Sequence, residues 1–488
     1  MAAKNDLHAL IHSLSKNERK NFRQFCNFQS GEKSYLKVFE ALSSIETFDK
    51  LKLEEKLDGK VNLKALPEIQ NYLYNLILNS LRQSNEKKSV DLRLIRYLTN
   101  VIILEKRGMH THSLKVIRQG LKFAQRVHNY TFILEFLKRK SFILLAQGKK
   151  NLVQEIESLY NLCQTVIHEI EAEFDFRYLK HRTLVTYRKS KRNAVVREPE
   201  ILEQIKCNER VGRGGRYMSF YSKYLDHDSQ ALIALIEGKL ELANLHYKKI
   251  LEVWDNHPDM KEFYQKEYII RVSNYLSNCL EIKEFEDFEQ QIQKIEQLKT
   301  RDIIQEAEVF QNVYYLRMLF FLNTGAFSKA LSIVPEIQKG LENYGNNVTL
   351  SRRATFLHNI MVLFFMEKNF DKCLDWISMI FDNRTGIRTD IYEFARVLEL
   401  IVHYELGHHE YVDNQINNLR RFVKQAERVN AVEKTTILYL QKRLSLTDKN
   451  ELQTQQSVFL EKFQSMRVEI PKPLGIDELC SWVESHSL

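Results

Sequence analysis

Hydrophobic positions recur along most of this chain at the three-to-four-residue spacing of amphipathic helices, and turn residues interrupt them. The clearest interruption is at Gly238, which precedes Leu240, the small residue Ala243, the aromatic Tyr247 and Ile250. Glycine accepts the left-handed conformation at a helix end, the small residue lets a second helix approach closely, and the aromatic ring fills the gap between the two helices. The pattern predicts a helical hairpin.

Related turns follow one another at intervals of about 40–48 residues, which is the period range of helical repeats. They lie near Gly108, Gly148, Ser190, Lys283, Gly325, Lys368 and Gly407. One hairpin alone cannot bury enough apolar surface, so each depends on its neighbours. The sequence therefore predicts an all-α fold made of about eight successive hairpins.

In this turn-and-second-helix pattern, the stretch from about Val90 to Glu427 resembles the tetratricopeptide-repeat-like (TPR-like) superfamily, including bacterial proteins of that kind. Its period is longer than the usual ~34 residues. The resemblance implies a right-handed α-solenoid with a concave binding face, and it implies no catalytic activity.

Both ends of the chain depart from the repeat pattern and are interpreted as helical caps. Ser15 and Glu18 have the spacing of a capping box at a helix start. Near the other end, Leu479, Trp482 and Val483 share one face of a short helix. We therefore predict an N-terminal helical bundle at 1–85, a repeat array at 90–430 and a C-terminal helical cap at 431–488.

Composition favours a cytoplasmic helical protein. Only 15 Gly and 6 Pro occur, and the six cysteines include no C-x-x-C pair. The start of the chain lacks the apolar core of a signal peptide, and no apolar run is long enough for a membrane span. No known catalytic motif is present, and the His110/His112 and His408/His409 pairs lack further ligands nearby in sequence. We expect no enzyme activity, cofactor, metal or membrane partner.

The net charge of +9 is concentrated between Arg177 and Arg216, where 12 Lys/Arg face 4 Asp/Glu, a difference of 12 − 4 = +8. Tyr178, Tyr187 and Tyr217 are interleaved with these cations. The candidate partner-binding residues are Arg177, Lys180, Arg182, Arg188, Lys189, Lys191, Arg192, Arg210, Arg213 and Arg216. We call 177–216 the basic segment.

The basic segment has three interpretations: a surface for an acidic protein or peptide, a nucleic-acid surface, or a solvated helix end. Its Gly212–Gly215 run lacks the spacing of a nucleotide-binding loop and is better explained as a flexible connector. The predicted function is a non-catalytic scaffold that binds a peptide or helix of another protein in its concave groove. The alternative is a nucleic-acid-associated regulator that uses the basic segment, and self-association is compatible with either.

Overall fold

The computed structural model describes residues 4–27, 33–86, 89–147, 152–193, 199–382, 388–416, 431–446, 448–469 and 476–485. Within these ranges the chain forms helices and turns and no β-strand, which confirms the all-α fold class. No helix in the same ranges has both the length and the apolar character needed to cross a membrane. The chain divides into two compact units, Met1–Ile170 and Glu171–Leu488. The three domain boundaries drawn from the sequence stay predictions.

The first unit begins with four helices of 8 to 12 residues and continues with longer ones from residue 66. They are α1 (Lys4–Ser13), α2 (Lys16–Asn27), α3 (Ser34–Ser43), α4 (Lys50–Leu57), α5 (Leu66–Asn85), α6 (Val90–Lys106), α7 (His110–Arg126), α8 (Tyr130–Gln147) and the first part of α9 (Leu152–Asn193). The predicted capping box opens α2, because the Ser15 amide donates to Glu18 Oε2 at 2.9 Å and the Glu18 amide donates to Ser15 Oγ at 3.2 Å. Leu14 before the box and Phe22 after it are both buried.

The second unit continues with the rest of α9 and then with hairpins of helices. They are α10 (Pro199–Lys206), α11 (Phe220–Ile236), α12 (Leu240–Asp255), α13 (Pro258–Phe263), α14 (Gln265–Ile282), α15 (Phe288–Glu296), α16 (Ile303–Asn323), α17 (Phe327–Ser332), α18 (Val334–Tyr344), α19 (Leu350–Met366), α20 (Phe370–Asp382), α21 (Thr389–Glu405), α22 (Ala431–Ser445), α23 (Lys449–Glu469) and α24 (Ile476–Glu484). A short 3₁₀ turn at Gly214–Arg216 precedes α11.

Most of the predicted turns lie where the sequence placed them, with the backbone in the left-handed region. Their φ angles are 70° at Gly108, 74° at Gly238, 58° at Lys283, 68° at Gly325, 57° at Lys368 and 78° at Gly407. α9 continues through Ser190 to Asn193, and residues 194–198, which precede α10, lie outside the described residues, so the turn near Ser190 stays a prediction. The turn near Gly148 lies outside the described residues.

Hairpin α11–α12 shows how the repeated pattern produces packing. Ala243 has no exposed surface and lies on α12 where that helix meets α11, and Tyr247 is buried one turn further on. Beyond this hairpin, the first helix of each hairpin packs against the first helix of the next, in the order α14, α16, α19 and α21. The helices are thus held by their neighbours along the chain, as in helical-repeat folds.

The last helix buries the apolar face that the sequence indicated. Leu479, Trp482 and Val483 of α24 are all buried. The Trp482 indole N–H donates to Glu405 Oε1 on α21 at 2.9 Å, and the ring packs edge-on against Tyr439 of α22. A buried indole therefore has its polar atom satisfied by a carboxylate from the preceding helices.

Candidate functional site

The described part of the basic segment runs over the second half of α9, over α10 and through the loop that leads to α11, all within the second unit. The structure divides its cations into two groups. Some are bound internally by carboxylates of the fold, and others point outward. Which of them contact a partner stays a prediction.

Arg177 belongs to the internal group. Its Nη2 atom donates to Glu173 Oε1 at 2.6 Å, one helical turn earlier on α9. Its guanidinium also lies over the ring of Tyr221 on α11, 4.7 Å from the ring centroid. The side chain therefore joins two helices of the unit, which is a structural role.

Lys180 is also internal, because it faces a buried carboxylate. Asp228 on α11 has a side chain only 4% exposed, and its Oδ2 atom is 3.7 Å from Lys180 Nζ and 2.9 Å from Arg271 Nη1 on α14. Burial lowers the pKa of Lys180, and the Asp228 carboxylate opposes that shift. One carboxylate thus bridges cations from two other helices, and removing it would leave both without this partner.

Arg210 ties the loop after α10 back to α9. It forms an ion pair with Asp175 Oδ2 at 3.0 Å and lies over the ring of Tyr217, 5.4 Å from the centroid. Tyr217 packs edge-on against the buried Phe176, with ring centroids 5.7 Å apart. These contacts fix the loop beside residues 175 and 176 of α9.

The Gly212–Gly215 run is a fixed turn, so its interpretation as a flexible connector was wrong. The amides of Gly212 and Gly214 each donate to a different carboxylate oxygen of the buried Asp226, both at 2.8 Å. A Cβ at Gly214 would meet Ser222 O at 2.5 Å and Asp226 Cβ at 2.6 Å, so glycine is required there. Burial raises the pKa of Asp226, and the two amide hydrogen bonds oppose that shift.

Arg213 and Arg216 are exposed on this fixed turn and form no ion pair with any residue that the structure describes. Arg213 directly precedes the 3₁₀ turn and Arg216 is its last residue. The two exposed side chains are thus three residues apart on one short turn. We call this pair the loop patch.

The remaining cations lie along α9 towards its C-terminal end. Arg182 donates to Gln204 Oε1 at 3.3 Å and stacks over Tyr178, whereas Arg188 and Lys189 are exposed. We call the last two the helix-end patch. The side chains of Lys191 and Arg192 lie outside the described residues.

The structure does not bring the two patches together. Arg210 and its partner Asp175 place the loop patch beside residue 175, and Arg188 is 13 residues further along the same helix. At 1.5 Å per residue, this separation is about 20 Å. The basic segment is therefore two outward-facing patches along one helix, with internal ion pairs between them.

An apolar stripe that sequence reasoning missed lies on the same half of α9, from residue 174 to residue 185. Phe174, Tyr178 and Val185 are 66%, 59% and 53% exposed, and their spacing of four and seven residues puts them on one face of α9. Tyr178 was noted only as an aromatic among cations. The helical spacing of the three residues was visible in the sequence, but their exposure was not.

The candidate metal-binding histidines form no metal cluster in the described residues. His408 Nδ1 is 2.9 Å from His403 Nδ1, and His409 stacks on Tyr404 with ring centroids 5.3 Å apart. No group of three or more His, Cys, Asp or Glu side chains that could hold a metal ion occurs anywhere in the described ranges. His408 and His409 contact His403 and Tyr404 of α21 from the turn that follows this helix.

Comparison of the whole chain with protein-family models, with curated proteins and with solved structures finds no match. The resemblance to TPR-like proteins therefore rests on the turn pattern of the sequence and stays a prediction.

Proposed function

We propose that this protein is a non-catalytic helical-repeat scaffold that binds an acidic peptide or helix of another protein. Its hairpins would stack as a right-handed TPR-like solenoid, whose concave face is the usual binding surface of such folds. The successive left-handed turns and the packing of α14, α16, α19 and α21 on one another support this architecture.

One observation carries the proposal: an exposed apolar stripe on α9 accompanies the two exposed cationic patches of the basic segment. Aromatic and arginine side chains supply most of the binding energy at protein interfaces. Phe174 and Tyr178 provide apolar area, while Arg213, Arg216 and Arg188 provide charges at the two ends. A partner segment with an apolar face and acidic ends matches this surface in both polarity and length.

Charge reversal on the loop patch tests the proposal. We expect Arg213→Glu combined with Arg216→Glu to lose a stoichiometric protein partner that the unmodified chain recovers from lysate of its own cells. Re-measured with the purified partner, the affinity should fall by more than about tenfold. Fold should be retained, because both side chains are exposed and outside the internal ion pairs.

Lys266→Glu is the matched control, since Lys266 is an exposed cation in the first turn of α14 in the same unit. A carboxylate there is favourable to the helix start. Recovery of the same partner by all three proteins, or of no stoichiometric protein by any, would contradict the proposal.

A nucleic-acid partner is the second candidate, and the pairing of Arg182 with Tyr178 favours it. The ring is exposed with a guanidinium above it at 5.7 Å from the centroid, an arrangement on which a base can stack. This candidate predicts retention of an unstructured RNA or DNA strand on a filter, weakening steeply with salt. No retention at low salt would exclude it.

A further inference from the structure

The second unit contains a cleft of about 500 Å³ far from the basic segment in sequence and opposite to it in charge. The cleft lies between the end of α15, the first half of α16 and the helix α18. Its lining combines aromatic rings with three carboxylates and a single lysine. Neither the proposed scaffold function nor the basic segment uses these residues.

Aromatic rings form the floor of the cleft. The Phe310 ring centroid lies 5.1 Å from that of Tyr314 and 5.2 Å from that of Tyr344. Gly340 on α18 permits this packing, since a Cβ there would meet Phe310 Cε2 at 2.1 Å. The floor therefore depends on a residue without a side chain, and it offers ring surface to whatever enters.

One of the three carboxylates is already neutralised. Arg317 donates to both oxygens of Glu296, at 2.6 and 2.9 Å, and also to Glu289 Oε1 at 2.6 Å. These bonds fix Glu296 at one side of the cleft. Glu296 therefore attracts a further cation only weakly, because Arg317 already neutralises its charge.

The other two carboxylates, Glu306 and Glu336, are exposed and form no ion pair with any described residue. They lie in the first turns of α16 and α18, where a carboxylate also stabilises the helix start. Burial raises the pKa of the Tyr314 phenol, and the nearby Glu336 charge raises it further. Tyr314 and Glu336 both line the cleft.

We propose that this cleft binds an arginine or lysine side chain carried by a segment of a partner polypeptide. A cation is attracted both by the faces of aromatic rings and by carboxylates that lack a partner. With Glu296 satisfied by Arg317, the lining presents Glu306 and Glu336 against the one ammonium of Lys339. The exposed carboxylates at the rim leave room for the rest of the segment to lie outside.

Fluorescence anisotropy of the full-length protein with a labelled peptide of alternating glycine and arginine tests this site. Combining Glu306→Gln with Glu336→Gln should weaken binding about tenfold, since each exposed ion pair contributes up to about fivefold. Glu342→Gln on α18 is the control, because Glu342 is exposed on the same helix and does not line the cleft. It should leave the affinity unchanged.

Lys339→Glu provides an effect of opposite sign that a folding defect cannot imitate. It replaces the one lining ammonium with a carboxylate, so binding of the arginine peptide should strengthen severalfold. Far-UV circular dichroism of every variant should match that of the unmodified chain. Unchanged affinity in the Glu306/Glu336 double variant, or weaker binding by the Lys339 variant, would overturn the proposal.

Two further ligands separate a peptide site from other possibilities. A peptide with citrulline in place of arginine keeps the shape and removes the charge, so it should not bind measurably. Agmatine, a free guanidinium compound, should compete only at much higher concentration than the peptide. Equal competition by agmatine would show a small-cation site instead of a site for a polypeptide segment.

Discussion

Hairpin α11–α12 and the second half of α9 lie in the same unit but differ in whether their aromatic residues are buried. In the hairpin, Phe220 and Trp254 are buried and pack edge-on, 4.9 Å apart. On α9, Phe174 and Tyr178 are more than half exposed. The aromatic rings of the hairpin are buried in its own core, whereas those of α9 are exposed and accessible to another molecule.

The largest expected contrast comes from truncating one aromatic residue in each region. Trp254→Ala should lower the free energy of unfolding by about 3–5 kcal/mol, because it empties a core that also contains Tyr224 and Tyr268. Phe174→Ala should change it by less than about 0.5 kcal/mol. Urea unfolding followed by far-UV circular dichroism measures both. Comparable losses would mean that α9 is as tightly packed as the hairpin.

Neighbouring glycines of the loop provide a sharper comparison. Gly214→Ala should cost about 2 kcal/mol, because its Cβ meets Ser222 O and Asp226 Cβ and the turn must shift. Gly215→Ala should be tolerated, since no atom lies within 4 Å of a Cβ there. Thermal unfolding compares the two variants directly. If Gly215→Ala were equally destabilising, the close approach of Gly214 to Ser222 and Asp226 would not explain the loss of stability.

The regular hairpin should also respond to pH through a buried imidazole. Burial is the largest cause that lowers the pKa of His246 to about 4, and the nearby His227 contributes to this shift. The folded state thus favours the neutral ring. Its contribution to stability is complete above about pH 6.5 and is lost as the pH falls towards 4, by about 1–2 kcal/mol. Urea midpoints across this range should fall less steeply for His246→Leu.

His112→Gln is the control for that experiment, because His112 is exposed on α7 in the first unit. It should leave the dependence of the urea midpoint on pH unchanged. If His112→Gln reduced the pH dependence of the urea midpoint as much as His246→Leu does, the effect would belong to histidines in general and not to the hairpin core.

The smallest expected effect concerns the helix-end patch. Arg188→Ala should alter the free energy of unfolding by less than about 0.5 kcal/mol, because the side chain is exposed at the end of α9. Lys180→Ala should cost more, since it leaves buried Asp228 with Arg271 as its remaining cation. Chemical unfolding of the two variants in parallel ranks them. A larger loss from Arg188→Ala would reverse the division into internal and outward cations.

The comparison also shows which features a sequence can reveal. The turn at Gly238 and the packing of Ala243 and Tyr247 depend on residues within one hairpin, so local spacing predicts them. The pairing of Lys180 with Asp228 joins residues 48 positions apart on different helices. No local pattern identifies that contact, and for this reason the sequence placed Lys180 among the partner-binding candidates.

The loop illustrates the same limit at a shorter range. Glycine-rich composition suggested flexibility, but a carboxylate 12 residues after Gly214 holds the turn in place. Asp226 lies inside an amphipathic helix, where an acidic residue usually faces solvent. Only the fold shows that its side chain points inward to two backbone amides.

The fixed separation of Arg213 and Arg216 has a consequence for the kinetics of association. Two like charges three residues apart on a hydrogen-bonded turn create a local positive field before any partner arrives. An acidic partner would be drawn in at a rate that falls as ionic strength rises, since the field is screened within about 10 Å at 0.1 M salt. The lifetime of the complex would depend on the apolar stripe of α9, which the partner would cover. It would therefore change little with salt.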